Sequence, residues 1–298
     1  MKEILKAIIG NSNIIRMKDY YYLFKNKSCK KCIEKNKQFE NMYQGKRCFI
    51  LGNGPSLSDI DLSILQDEIT FSVNQLPRRS DFESLKTNIH MWVDRRFYDI
   101  DENRPEDMEL LEVMRKVNTK NNKPIIFYRY EALNMINKYG LDKELDIYFF
   151  EHGFGRIEDV KKNHKVEFTK LVPNFSTIVH YAIQLAVYMG FKEIYLLGCE
   201  CTGFLSIAQA KLMDAEKSEY TYEISENEKK RLERVWQQSS IEEELGVYSL
   251  LFKDYRYLKQ YCDRYGVKLY NATNPTLLEG IERVNISEVL KSYKTSNL

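Results

Sequence analysis

Long apolar runs are missing from this chain. Nowhere in its 298 residues is there an uninterrupted apolar stretch of the ~18 residues a membrane-spanning helix needs. A cleavable leader is not expected either. The apolar segment Ile4 to Ile9 is too short and runs straight into Gly10-Asn11-Ser12-Asn13. An excess of one charge is also lacking: 45 Lys and Arg against 43 Asp and Glu leave a net charge of +2. That balance gives no electrostatic footprint for nucleic acid or another polyanion. The six cysteines (29, 32, 48, 199, 201 and 262) have no secreted-framework spacing. Cys48, Cys199 and Cys201 sit in apolar, strand-like stretches, so buried, reduced thiols in a cytoplasmic protein are expected. Cys29-Lys-Lys-Cys32 has half the spacing of a zinc site, but no second Cys or His pair completes it. Histidine is scarce, with four in all and none after His180.

What is present is an alternation. Short runs rich in Ile, Val, Phe and Tyr predict strands at Cys48–Leu51, Ile69–Val73, His90–Val93, Pro124–Tyr128, Ile147–Phe150, Glu193–Gly198 and Val267–Tyr270. Phe175–Met189 carries apolar residues at helical spacing and stops at Gly190, immediately before a strand. Leu251–Tyr265, Gly266 and the next strand repeat the plan. This is the pattern of an α/β fold with a mostly parallel sheet flanked by helices. Residues 1–45, with ten Lys and Arg against four Asp and Glu, read as a basic helical extension. We expect it to pack through Tyr20, Tyr21, Leu23 and Phe24; a peripheral contact with anionic lipid at the inner membrane face is the other reading. Residues 46–298 form the main domain, and the charged stretch 204–246 reads as a helical lid inserted in it.

The densest local signal is Gly52-Asn53-Gly54-Pro55-Ser56, directly after the first strand. Strand, glycine turn and helix start form the layout that aims backbone N–H groups at an anion. Glycines permit positive φ and close approach of a ligand, and Pro55 suits the first helical position. The third glycine of the dinucleotide fingerprint and the Gly-Lys-Ser/Thr of a P-loop are both absent. In sheets of this kind ligands sit beyond the carboxyl ends of the strands. Asn74, Gln75, Asp94, Arg95, Arg96, Arg129, Glu200, Thr202, Asn271 and Thr273 occupy such ends. Amides suit a nucleobase or ribose, and arginines suit phosphate. Asp59/Asp61 and Asp99/Asp101 have a two-carboxylate spacing that metal-dependent transferases use, but Asp59 and Asp61 also suit a helix start.

Gly52-Asn-Gly-Pro-Ser-Leu57, Val73-Asn-Gln75, Gly190-Phe-Lys-Glu-Ile-Tyr-Leu-Leu-Gly198 and Val267-Lys-Leu-Tyr270 resemble motifs of the bacterial family 42 sialyltransferases. The chain also resembles the related domain named after archaeal 6-hydroxymethylpterin diphosphokinase, through Tyr270-Asn-Ala-Thr273 and Gly280-Ile-Glu-Arg-Val-Asn285. The resemblance covers residues 45–290. It implies a Rossmann-like fold with a lid, and transfer of a sugar from a nucleotide donor, CMP-linked, to a glycan or lipid-linked acceptor without any further cofactor. Asn53, Gly54 and Asn74 would then contact the nucleotide, and Ser176 and Thr177 would be the Ser/Thr pair at the start of the long helix. The family's lid histidine and its tyrosine after strand 193–198 have no counterpart here. Another group must then act as base, with Glu200 or the run Glu242-Glu243-Glu244 as candidates by position, although that run reads first as a solvated acidic helix turn. Under the pterin reading Asp94 would hold Mg²⁺ for pyrophosphoryl transfer from ATP.

Overall fold

The structure, a computed structural model, describes residues 10–160, 164–212, 220–237 and 240–296. All seven expected strands are present, each within one residue at either end. They are β1 (Arg47–Leu51), β2 (Thr70–Val73), β3 (Ile89–Trp92), β4 (Ile125–Arg129), β5 (Asp146–Phe150), β8 (Glu193–Leu197) and β9 (Lys268–Asn271). The sequence reading missed β6 (His152–Arg156), β7 (Val172–Asn174) and the two-residue β10 (Glu282–Arg283). β6 reads His-Gly-Phe-Gly-Arg and has no apolar run to announce it.

The main sheet is parallel throughout, in the order β10-β9-β8-β1-β2-β3-β4-β5. The chain moves outward from β1 to β5, then returns to lay β8 on the other side of β1. That reversal opens a crevice at the carboxyl ends of β1 and β8, where open α/β sheets bind ligands. The residues of β1, β2 and β3 are all buried, so neither face of these strands meets water. Alternate residues serve opposite layers. Cys48, Ile50, Phe71, Val73, Ile89 and Met91 join one core, while Phe49, Leu51, Tyr195 and Leu197 join the other.

The helices are α1 (Asn11–Lys25), α2 (Lys27–Glu34), α3 (Phe82–Leu85), α4 (Pro105–Arg115), α5 (Leu133–Lys138), α6 (Ile178–Tyr188), α7 (Gly203–Leu212), α8 (Glu226–Gln237), α9 (Ile241–Arg264) and α10 (Ile286–Ser296). Every residue of α6 is buried, which makes it the central helix of the larger core. It ends as its sequence predicts. Gly190 adopts φ 89°, and Phe191 N–H closes on the Ala186 carbonyl at 3.2 Å while Gly190 N–H closes on Val187. Helix α9 begins ten residues before the expected Leu251. A capping box made by Ser240 and Glu243 starts it there. The lid region 204–246 accordingly holds α7, α8 and the first turn of α9.

The basic extension packs less than its sequence suggests. Leu23 is buried with Cys29 and Ile33, but Tyr20, Tyr21 and Phe24 are exposed. No helix among the described residues is long and apolar enough to cross a membrane.

Candidate functional site

A cavity of about 540 Å³ opens over the crevice between β1 and β8. The turn Gly52–Pro55, Val73-Asn74, residues 198–203 and the start of α6 from Ser176 to Val179 form its walls. Arg96 reaches it from one side, and Tyr220, Ile224 and Glu244 of the lid, with Val247 and Tyr248 further along α9, line the other. The structure places Gly52, Asn53, Gly54, Pro55, Asn74, Glu200 and Thr202 of the strand ends around this cavity, together with Ser176 and Thr177 at the start of the long helix.

The glycine turn is built differently from an anion cradle. Gly52 and Gly54 both lie outside the positive-φ region. They are needed for close approach, and what approaches is the protein itself. A Cβ on Gly52 would lie 2.2 Å from the Gly198 carbonyl oxygen, and one on Gly54 would lie 1.4 Å from Glu200 Oε2. The N–H groups expected to meet a phosphate are engaged within the chain. Gly52 N–H donates to Leu197 (2.8 Å), Gly54 N–H to Gly198 (3.0 Å), and Ser56 N–H to Glu200 Oε1 (2.7 Å). A buried carboxylate occupies the anion's place, and Pro55–Asp59 is a single 3-10 turn.

Two asparagines at the rim are in a different state. Asn53 Oδ1 and Asn74 Oδ1 are buried acceptors with no hydrogen-bond partner among the described residues. An orphaned buried amide costs about 1–3 kcal/mol, so each calls for a partner such as water or a ligand. Asn74 also sits at φ 49° and Cys201 at φ 60°. Left-handed backbone in non-glycine residues marks strained, functional positions when it gathers in one place. Ser56 Oγ and Glu200 Oε2 are likewise buried without a partner.

The start of α6 brings a helix N-terminus to the cavity wall. Thr177 stands at the N-cap position without a side-chain capping bond. Ile178 and Val179, whose N–H groups lead the helix, line the cavity.

Several candidate residues are committed elsewhere. Gln75 is 3 % exposed. Its Nε2 donates to Glu228 (2.7 Å), and its Oε1 accepts from Arg78 (2.6 Å). It anchors the lid and has no free amide for a nucleotide. Asn271 is fully buried, accepting from Thr273 N–H (3.0 Å) and donating to Thr276 Oγ1 (3.2 Å). It shapes the loop after β9. Ser176 donates from both N and Oγ to Asp254, at 3.2 and 2.9 Å.

The carboxylates separate as clearly. Glu243 is exposed and caps α9, which is the solvated role its acidic run suggests. Asp94 caps the turn Arg95–Phe97 through Arg96 N–H (3.0 Å) and pairs with the Arg96 guanidinium. Burial pushes its carboxyl up, but the bonds and charge of Arg96 outweigh this and hold it below the usual carboxylate range. That makes Asp94 a poor base and commits its carboxylate to Arg96. Asp61 and Asp101 accept from Ser63 and Asn103 N–H in local turns. Glu200 faces the turn. Of the acidic run, Glu244 is the member that lines the cavity.

Sequence reasoning missed the buried hub Asp254, whose signal was a lone acid inside the apolar inner face of α9. Asp254 receives Ser176, pairs with Arg156, and lies 3.7 Å from His180 Nδ1. Burial raises its carboxyl despite those partners, while His180, fully buried, is pushed well below the ordinary imidazole value by desolvation and by Arg156. Tyr220 and Tyr248 carried no motif at all.

No family model and no curated protein matches the chain. Among solved structures it is similar to the sialyltransferase CstII of Campylobacter jejuni in complex with cytidine-5'-monophosphate. That match has 19 % identity, covers 81 % of this chain and 85 % of that one, and has a TM-score of 0.44. A CST-II complex with a trisaccharide acceptor and CMP matches at 21 % identity over 80 % and 86 %, TM-score 0.44. The monofunctional alpha-2,3-sialyltransferase Cst-I of Campylobacter jejuni matches at 17 % over 81 % and 82 %, TM-score 0.45.

Proposed function

We propose that this chain is a glycosyltransferase using a nucleotide-activated sugar, with the nucleotide seated in the cavity beyond β1 and β8. One observation carries the reading: Asn53 and Asn74 present buried, unpartnered amide oxygens at neighbouring strand ends of a cavity large enough for a nucleotide. Such oxygens accept from a base amine or a ribose hydroxyl. The first N–H groups of α6, with Arg96, suit the phosphate. The motif resemblance supplies the CMP-linked sugar as donor and a glycan or lipid-linked hydroxyl as acceptor.

The base in this reading is Glu244, on the lid side of the cavity. The acceptor oxygen attacks the anomeric carbon as its proton passes to the Glu244 carboxylate. The bond from that carbon to the phosphate oxygen breaks, and the nucleoside phosphate departs with the electron pair. Inversion at the carbon follows from the single displacement. Glu200 holds the glycine turn.

A competing reading, a nucleotide-binding protein without turnover, has one observation in its favour: no histidine lines the cavity among the described residues. Two measurements decide. A thermal-shift screen against CMP, UDP, GDP, ADP and ATP is expected to single out CMP, because a ligand bound only by the native state raises the melting point. Transfer and hydrolysis assays on a panel of nucleotide sugars are expected to show activity that Glu244→Gln removes while CMP binding persists. No shift with any nucleotide overturns the site. A CMP shift without turnover on any donor overturns the enzyme.

A further inference from the structure

Helix α1 is apolar on two faces, and the fold uses one of them. Its inner face lies on β6. Ser12 Oγ donates to the Asp159 carbonyl (2.9 Å), Asn11 Nδ2 to Asp159 Oδ1 (3.0 Å), and Asp19 accepts from Phe154 N–H (3.0 Å). Gly155 lets Ile15 sit against the strand: a Cβ there would be 2.8 Å from Ile15 Cγ2. These contacts fix which way the helix is turned. The opposite face carries Met17, Tyr20, Tyr21 and Phe24, which are 61, 57, 63 and 69 % exposed.

Those four residues fall at i, i+3, i+4 and i+7, so they form one stripe. Lys18 and Lys25 flank it on one side and Arg16 on the other. Phe154, 59 % exposed, lies beneath the Lys18 ammonium and edge-on to Tyr22. The next helix adds exposed Lys27, Lys30 and Lys31. Residues 10–37 together hold eight Lys and Arg against Asp19 and Glu34. A groove of about 700 Å³ is lined by Tyr20, Leu23 and Phe24 and by Lys30, Glu34, Lys37 and Lys170, the three lysines each pairing with a neighbouring carboxylate (Glu34, Glu40 and Glu167) at the surface.

We propose that this face docks on an anionic bilayer surface, with the aromatic stripe in the headgroup layer and the lysines on lipid phosphates. The charge decides between occupants. A second copy of the chain would bring the same positive field to the same face, whereas an anionic membrane is complementary to it. Tyrosine suits the position because its ring is apolar and its hydroxyl prefers water, the division found at a membrane interface. The stripe is too short to span and lies parallel to the surface, as interfacial helices do. The inference does not depend on what the cavity binds.

The test is co-sedimentation of the full chain with vesicles of phosphatidylcholine alone and of phosphatidylcholine with phosphatidylglycerol. Binding is expected for the anionic vesicles, falling as salt rises. Two variants separate the contributions: Tyr20→Ser with Phe24→Ser removes the stripe, and Lys25→Glu with Lys30→Glu and Lys31→Glu reverses the charge. All five side chains are exposed, so both variants should fold and keep the melting point of the wild type. Each is expected to weaken vesicle binding at least tenfold. Wild-type protein that stays in the supernatant, or sediments equally with both vesicle types, overturns the proposal. So does a lipid-free dimer, seen by sedimentation velocity, that the stripe variant dissociates, since the face would then belong to a second copy.

Discussion

Glu200 Oε1 accepts the Ser56 backbone N–H at 2.7 Å, and the missing side chain of Gly54 is what lets the carboxylate lie there. The first turn of the sheet is closed by this contact between the ends of β1 and β8. Glu200 is 3 % exposed, so the contact is made away from water. Glu200→Ala should therefore leave a buried N–H unpaired and cost about 1–3 kcal/mol. Glu200→Gln keeps an oxygen in place and should cost less than half as much. Urea unfolding of both variants checks this. A Gln variant as unstable as the Ala variant would show that the negative charge, rather than the hydrogen bond, holds the turn.

Asn74 offers a cleaner probe of the cavity, because its backbone and side chain can be separated. At φ 49° glycine is tolerated at least as well as asparagine. Asn74→Gly should keep stability within about 1 kcal/mol while removing one of the two waiting amides. Nucleotide affinity should fall about five- to tenfold, the worth of one net hydrogen bond. Isothermal titration with CMP measures the loss. Unchanged affinity would place the nucleotide elsewhere.

How much of this was legible beforehand follows from what each residue answers to. β1, β2, β3 and β8 lie inside the sheet and are shielded on both faces, so their apolar runs announced them. Gly190 announced the end of α6 because positive φ has few tenants. Asn53 and Asn74 stood out by standing at strand ends. Gln75 stood equally well and was misread, since its engagement depends on Glu228, 153 residues further on. The Glu200 contact was hidden for the same reason: its partner, Ser56, is 144 residues away. Local patterns fix elements, and only the closed sheet decides which strand-end side chains are already paired.

The lid is clasped by a buried charge. Glu228 is fully buried and accepts two bonds from Arg231 (2.8 and 2.7 Å), one from Gln75 (2.7 Å) and a longer one from Arg78 (3.4 Å). Removing one member of such a network leaves the others uncompensated in a low dielectric. Glu228→Ala is expected to cost about 3–5 kcal/mol. Glu228→Leu with Arg231→Met, which removes both members of the closest ion pair and leaves Arg78 to Glu109, should recover part of the loss. Chemical denaturation of the single and double variants tests the coupling, and equal losses in the two would refute it.

His90 and His180 make a prediction about acid. Both are fully buried. Desolvation lowers His90 to about 3 and His180 well below its ordinary value. A base whose folded value is depressed stays neutral in the native state while the unfolded chain takes up a proton. Stability is then whole above the unfolded value, near 6.5, and is lost as pH falls below it. Each histidine contributes a slope of about 1.4 kcal/mol per pH unit there. Asp254 acts in the opposite sense: its raised folded value favours the native state as pH drops. Comparing wild type with His180→Gln cancels Asp254 and His90 to first order. Unfolding free energies measured from pH 7 to pH 5 should fall less steeply in the variant, by about 1.4 kcal/mol per unit below pH 6. Parallel curves would mean that His180 is protonated in the folded protein, with Asp254, 3.7 Å from its ring, as the counter-ion.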